Sequence, residues 1–185
     1  GRMEQLRLFI SLPLDFGLAK KLHKQFNQLG LPTEGMRLVL ADQMHLTLKF
    51  LGNVPLDKLP EIISSLENIQ STGDPIDLSL DEVVASPDLH PEVIFIRIKE
   101  NQDLTDLYNK IEENLFASGL ANLESRKFTP HLTLARIKSK VEPEQLAPLK
   151  EWKVADQFAV NYFYLMQSEL TPKGPVYTNL QSFDL

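Results

Sequence analysis

His45-Leu46-Thr47-Leu48-Lys49-Phe50-Leu51-Gly52 and Pro130-His131-Leu132-Thr133-Leu134-Ala135-Arg136 share one tetrapeptide, His-Leu-Thr-Leu, at an offset of 131 − 45 = 86 residues. Both stretches read as strands. Side chains alternate faces along a strand, so His45 and Thr47 project together while Leu46 and Leu48 point into apolar packing. His131 and Thr133 stand in the same relation to Leu132 and Leu134.

The offset extends outward from the tetrapeptides. It carries Phe9 onto Phe95 and Leu18 onto Leu104. In the first half, Leu6 to Leu12 is a strand closed by Pro13. Leu14, Leu18, Leu22, Phe26 and Leu29 then mark a helix ended by Gly30. Met36 to Ala41 is a short apolar run, followed by the strand from His45. Leu56 to Ile69 gives a second amphipathic helix, and Ile76 to Val84 a strand. After the loop Ser86 to Pro91 the order restarts with a strand at Val93 to Ile98 and a helix through Leu104, Tyr108, Ile111 and Leu115. A strand over Phe128 to Ile137, a short helix at 143–150 and a strand at Phe158 to Met166 complete it. A last strand, about Val176 to Phe183, is extra. Residues of about 6–86 and 92–166 therefore repeat, which predicts two similar β-α-β-α-β lobes about an approximate two-fold axis. Residues 1–185 are expected to form a single α+β domain.

Composition narrows the function. The 185 residues are 43% hydrophobic and 24% charged, ordinary for a globular protein and far from a disordered one. With 19 Lys+Arg against 25 Asp+Glu the net charge is 19 − 25 = −6, and the pI is about 5.2. That balance argues against a non-specific grip on long nucleic acid and leaves a short, locally held phosphate substrate open. No cysteine is present, which removes disulfides, thiol catalysis and thiolate metal sites. No apolar run approaches the roughly 20 residues that span a bilayer. The start of the chain lacks the apolar stretch of a signal peptide, and Gly1-Arg2 ahead of Met3 is read as lying outside the fold. A cytoplasmic monomer with no membrane association is expected.

Two strands related by a pseudo-two-fold axis can offer two imidazoles and two hydroxyls to one cleft. Histidine titrates near neutrality, so one ring can take a proton while the other gives one. Threonine hydroxyls can donate to non-bridging phosphate oxygens. A lone His-x-Thr strand is usually a satisfied, half-buried histidine, but two copies in corresponding places point to in-line attack at a phosphodiester. Strict alternation puts Lys49 on the cleft face, as a phosphate attractor or a strand-end lysine reaching solvent. Phe9 and Phe50 read as core more readily than as base-stacking residues, and Tyr177 is open between the two. His23, among Lys20, Lys21 and Lys24, reads as a solvated helix face; His90 has no assigned role. There is no Gly-rich phosphate loop, and a zinc site lacks its third and fourth ligands. No metal and no cofactor are expected.

These motifs, with Arg7-Leu8-Phe9-Ile10, Ser168-Glu169-Leu170 and Gly174-Pro175-Val176-Tyr177, resemble the 2H phosphoesterase superfamily. Within it, the resemblance is to the RNA 2′,3′-cyclic phosphodiesterases, also called 2′-5′ RNA ligases. The resemblance implies two lobes, each an antiparallel-rich sheet with outer helices, flanking a central cleft. It implies His45 as proton donor, His131 as proton acceptor, and Thr47, Thr133 and Arg136 as phosphate contacts. The implied partners are RNA ends or short oligonucleotides carrying a 2′,3′-cyclic phosphate. Arg136 conflicts with strict alternation, which sets it on the face opposite His131, so a bulge or twist must bring it round. Leu38 and Phe95 stand where relatives often have tryptophan. The implied activity is hydrolysis to a 2′-phosphomonoester, reversible as ATP-independent 2′-5′ ligation. The alternatives are hydrolysis of 2′-5′ oligonucleotides or cyclic nucleotides, and a non-catalytic nucleotide- or RNA-end-binding module.

Overall fold

The computed structural model describes residues 4–185; Gly1-Arg2-Met3 lie outside the described residues. Nine strands and four α-helices follow in chain order. They are β1 (Gln5–Pro13), α1 (Phe16–Asn27), β2 (Met36–Leu38), β3 (His45–Pro55), α2 (Leu59–Glu67), β4 (Ile76–Ser86) and β5 (Val93–Ile98). Then come α3 (Gln102–Ala117), β6 (His131–Ile137), α4 (Pro148–Glu151), β7 (Gln157–Val160), β8 (Tyr162–Thr171) and β9 (Gly174–Asp184). Every strand pairing is antiparallel. The sheet runs β7-β4-β5-β6-β3-β1-β8-β9, with β2 joined to β6 beside this path. The fold is α+β, as expected.

The two tetrapeptides meet at the centre of that order. Leu46 on β3 pairs with Leu132 on β6, the one backbone pairing between these strands among the described residues. On one side of the seam lie β3, β1, β8 and β9; on the other lie β6, β5, β4 and β7. These lobes are not the two halves of the chain. β4, from the first half, sits between β5 and β7, while β8, from the second, pairs with β1. Each half thus lends its fourth strand to the other lobe. Apolar periodicity reports that a strand exists, not which strand it joins, so the exchange is invisible in the residue pattern.

The run expected as one strand at Phe158 to Met166 is two, separated by Asn161 alone. β7 and β8 stand near opposite ends of the strand order, so the sheet curls until those ends approach. Local differences are smaller. Residues 56–58 form a 3₁₀ turn ahead of α2, the helix expected at 143–150 is a 3₁₀ turn plus α4, and β6 begins at His131.

Helix starts repeat the 86-residue offset. Asp15 accepts from Leu18 N at 2.9 Å to cap α1, and Asn101 accepts from Leu104 N at 3.0 Å to cap α3. α1 buries Leu18, Ala19, Leu22 and Phe26; α3 buries Leu104, Leu107, Ile111 and Leu115. The helices cover one face of the sheet, where Leu8, Ile10, Leu12, Ile94, Ile96 and Leu165 are fully buried. Phe26 packs against Trp152 at 6.3 Å and Lys21 pairs with Asp156 at 2.7 Å, so α1 also reaches across to the other half. The opposite face of the sheet is left for the cleft.

Candidate active site

His45 and His131 are the first residues of β3 and β6, and the Leu46–Leu132 pairing brings these strand starts together in antiparallel sense. The two rings are held alike. His45 Nδ1 lies 2.8 Å from the Gln43 carbonyl oxygen, and His131 Nδ1 lies 2.9 Å from that of Thr129. A carbonyl can only accept, so Nδ1 carries the hydrogen in each case and Nε2 is left to exchange protons with the cleft. His45 Nε2 is 3.1 Å from Thr47 Oγ1.

Their surroundings differ. The Phe9 ring packs on His45 at 5.0 Å, and Tyr177 meets it edge-on at 5.1 Å and 90°. Burial is the main cause of a lowered His45 pKa; the Gln43 hydrogen bond opposes it, and the charge of His131 adds to it. That His131 is felt at His45 agrees with both rings facing one cleft. His131 is exposed, with Phe95 against it at 5.0 Å.

All five residues singled out from the motifs, His45, His131, Thr47, Thr133 and Arg136, line this cleft of about 460 Å³. Arg136 reaches it through a bulge. Phe95 pairs with Thr133 but Ile94 pairs with Ala135, so Leu134 is the extra residue and the alternation resets after it. An equivalent bulge lies 86 residues earlier. Ser11 pairs with Thr47 but Ile10 pairs with Lys49, which makes Leu48 the extra residue.

That first bulge corrects two expectations. Lys49 turns away from the cleft to the helix-covered face, where its Nζ is 2.9 Å from Glu112 Oε2 and 2.9 Å from the Asn122 carbonyl oxygen. Both side chains are more than nine-tenths buried, so Lys49 neither attracts phosphate nor reaches solvent. Phe50, expected in the core, turns into the cleft, is 52% exposed and carries the Arg7 guanidinium 4.6 Å from its ring centre. Phe9 is buried, but against the His45 ring and in the cleft wall rather than in the core, and Tyr177 lines the cleft as well. Leu38 is in the lining; Phe95 supports His131 instead.

Three basic residues were not identified from sequence: Arg7, Arg37 and Lys173 also line the cleft. Arg7 lies two residues before Phe9 and shares its face, a signal that alternation contained. Arg37 arrives through the β2–β6 pairing, across 99 residues of chain, and has no local signal. His23, on α1, faces Asn27, and His90 is exposed in its loop; neither lines the cleft. Among the described residues no group of three or more His, Asp or Glu is arranged to hold a metal ion, and no helix is long and apolar enough to cross a membrane.

An antiparallel, two-lobed α+β sheet with paired His-x-Thr strands on one cleft defines a class, and the chain belongs to it: residues 20–171 match the family model of the 2′-5′ RNA ligase superfamily. Among relatives, the RNA 2′,3′-cyclic phosphodiesterase of Archaeoglobus fulgidus is 33% identical over 97% of this chain and 100% of its own. That of Methanocaldococcus jannaschii is 30% identical over 93% and 96%. Among solved structures, TT0787 of Thermus thermophilus superposes with a TM-score of 0.79 at 27% identity, covering 97% of each chain. E. coli LigT complexed with 3′-AMP gives 0.79 at 25%, covering 98% and 99%.

Proposed function

We propose that this protein hydrolyses 2′,3′-cyclic phosphate ends of RNA to 2′-phosphomonoesters by two-histidine acid–base catalysis. The observation that carries the reading is the matched pair of imidazoles, each with Nδ1 fixed by a backbone carbonyl and Nε2 left for the cleft. Two proton carriers are more than a binding module requires. The family and the printed activity of the curated relatives support the substrate class.

In the forward step His131 Nε2 takes a proton from water, whose oxygen attacks the phosphorus. The bond from phosphorus to the 3′ oxygen breaks, and His45 Nε2–H delivers its proton to that oxygen. The product carries a 2′-phosphate and a 3′-hydroxyl. Thr47, Thr133 and Arg136 take the non-bridging oxygens, where charge accumulates in the transition state. A lowered pKa makes His45 a strong acid once charged, and the approaching phosphate anion favours that charged form. With a 5′-hydroxyl RNA in place of water the same displacement forms a 2′-5′ linkage without ATP, and attack of the 3′-hydroxyl on that linkage reverses it.

We further propose that residues 1–185 belong to one bilobal unit whose halves, about 6–86 and 92–166, descend from a repeat; matched helix caps and matched bulges at the same offset support this. The test is product analysis. A cyclic-phosphate-ended oligonucleotide should yield the 2′-phosphate isomer alone. Release of the 3′-phosphate, or no turnover, contradicts the assignment.

A further inference from the structure

Arg37 and Arg136 are direct partners in the β2–β6 register. Residues opposite each other in an antiparallel pair project to the same face, and both arginines are exposed and line the cleft. Like charges so placed repel each other. Among the described residues neither takes part in an ion pair, and nor do Arg7 and Lys173. Among the described residues the cleft lining contains no carboxylate, on a protein whose net charge is −6. Such a cluster is a field prepared for anionic ligands.

The cyclic phosphate carries a single negative charge, and Arg136 with the two threonine hydroxyls already serves it. Arg37 is a second, unassigned cation. Its stem crosses to the opposite wall, where a Cβ built on Gly174 would stand 3.3 Å from Arg37 Cδ. Gly174, with φ +111°, begins β9 beside Lys173, so the bare backbone there lets Arg37 lie against the hairpin. A second phosphate bound by Arg37 and Lys173 would sit beside the first. An RNA terminus supplies one: the phosphate on the 5′ oxygen of the terminal nucleoside.

We infer that Arg37, with Lys173, forms a second phosphate subsite that reads the 5′-phosphate of the nucleotide bearing the cyclic end. The inference rests on the cyclic phosphodiesterase reading of this cleft. It makes Arg37 a specificity-determining residue that distinguishes an RNA end from a cyclic nucleoside monophosphate.

Three substrates separate phosphate from base contacts: a nucleoside 2′,3′-cyclic phosphate with a free 5′-hydroxyl, the same compound bearing a 5′-phosphate, and a dinucleotide with a cyclic end. The wild-type protein should favour the second and third over the first in kcat/KM by roughly tenfold or more, the scale of one charge-assisted hydrogen bond. In Arg37→Gln that ratio should fall towards one, chiefly through KM, and Arg37→Lys should retain part of it. Thermal melting should leave Arg37→Gln close to wild type, because Arg37 is exposed and forms no ion pair among the described residues. A wild-type ratio within twofold overturns the inference, as does an Arg37→Gln variant with its ratio intact. A preference for the dinucleotide without one for the 5′-phosphate also overturns it, since the contact would then be to the second base. If the wild type turns over none of the three, the functional reading fails, and equilibrium binding decides the subsite separately. A nucleoside 2′,5′-bisphosphate should then bind more tightly than the 2′-phosphate in wild type but not in Arg37→Gln; equal binding by wild type overturns the subsite too.

Discussion

His45 is an imidazole boxed by aromatic rings, and that setting has two measurable consequences. The first concerns catalysis. If the two histidines carry the proton transfers as proposed, removing either should cost about 10²–10⁴-fold in kcat, the usual range for general acid–base contributions. His45→Ala and His131→Ala act in one concerted step, so the double variant should lose much less than the product of the single losses. Steady-state kinetics on a cyclic-phosphate substrate measures this, and multiplicative losses would show that the two rings serve separate steps. The second concerns stability. Burial lowers the His45 pKa in the folded state, whereas the unfolded side chain takes its proton near pH 6.5. Below that pH the unfolded chain binds more protons, so stability falls as the medium is acidified through the folded-state pKa and then levels off. His45→Gln has no ring to titrate and lacks this dependence. Urea titrations at pH 7.5 and pH 5 should therefore show wild type losing more stability than the variant on acidification; equal losses would contradict the assignment of burial as the cause.

At the scale of the strand, the motifs were legible and the bulges were not. Alternation predicts which face a side chain takes only while the pairing stays regular. It put His45, Thr47, His131 and Thr133 together because these positions precede the irregularities at Leu48 and Leu134. Beyond them it failed, for Lys49 and Phe50 in one strand and for Arg136 in the other. The misfit of Arg136 was itself a signal, since the family resemblance placed it in the cleft and strict alternation on the other face, a conflict that only a bulge or twist resolves. Nothing comparable marked Leu48. The first bulge commits Lys49 to Glu112, whose Oε1 has no hydrogen-bond partner among the described residues. Removing one member of such a buried pair leaves the other charge stranded, at a cost of about 3–5 kcal/mol. Lys49→Met should be destabilised on that scale, while Lys49→Met with Glu112→Leu should recover most of the loss. Chemical denaturation measures both, and a Lys49→Met protein as stable as wild type would mean the pair is solvated.

The molecule as a whole is held by exchange. The repeat in the sequence implied two lobes and a shared cleft, and both are present, but the crossing of β4 and β8 into opposite lobes had no signature in spacing or composition. The seam itself is thin, a single backbone pairing at Leu46 and Leu132 among the described residues, so the exchanged strands do much to join the lobes. Residues 1–91 and 92–185, expressed apart, should each unfold without a cooperative transition, and mixing them should restore one by completing both lobes. A first half that melts cooperatively on its own would show that the exchange is dispensable.

The central claim is that two histidines, and no metal, carry the proton transfers at a cyclic phosphate. The most direct measurement is the pH dependence of kcat/KM on a 2′,3′-cyclic-phosphate substrate, before and after exhaustive chelation. An acid and a base must be in opposite protonation states, so the rate should fall on both sides of a maximum, with apparent constants that belong to the coupled pair. Burial of His45 should carry the acidic limb below the ordinary histidine value of about 6.5. A metal-bound hydroxide also titrates near neutrality, so shape alone does not decide; chelation does. The account predicts a bell-shaped profile that EDTA leaves unchanged. Activity lost with the chelator and restored by a divalent ion would contradict it.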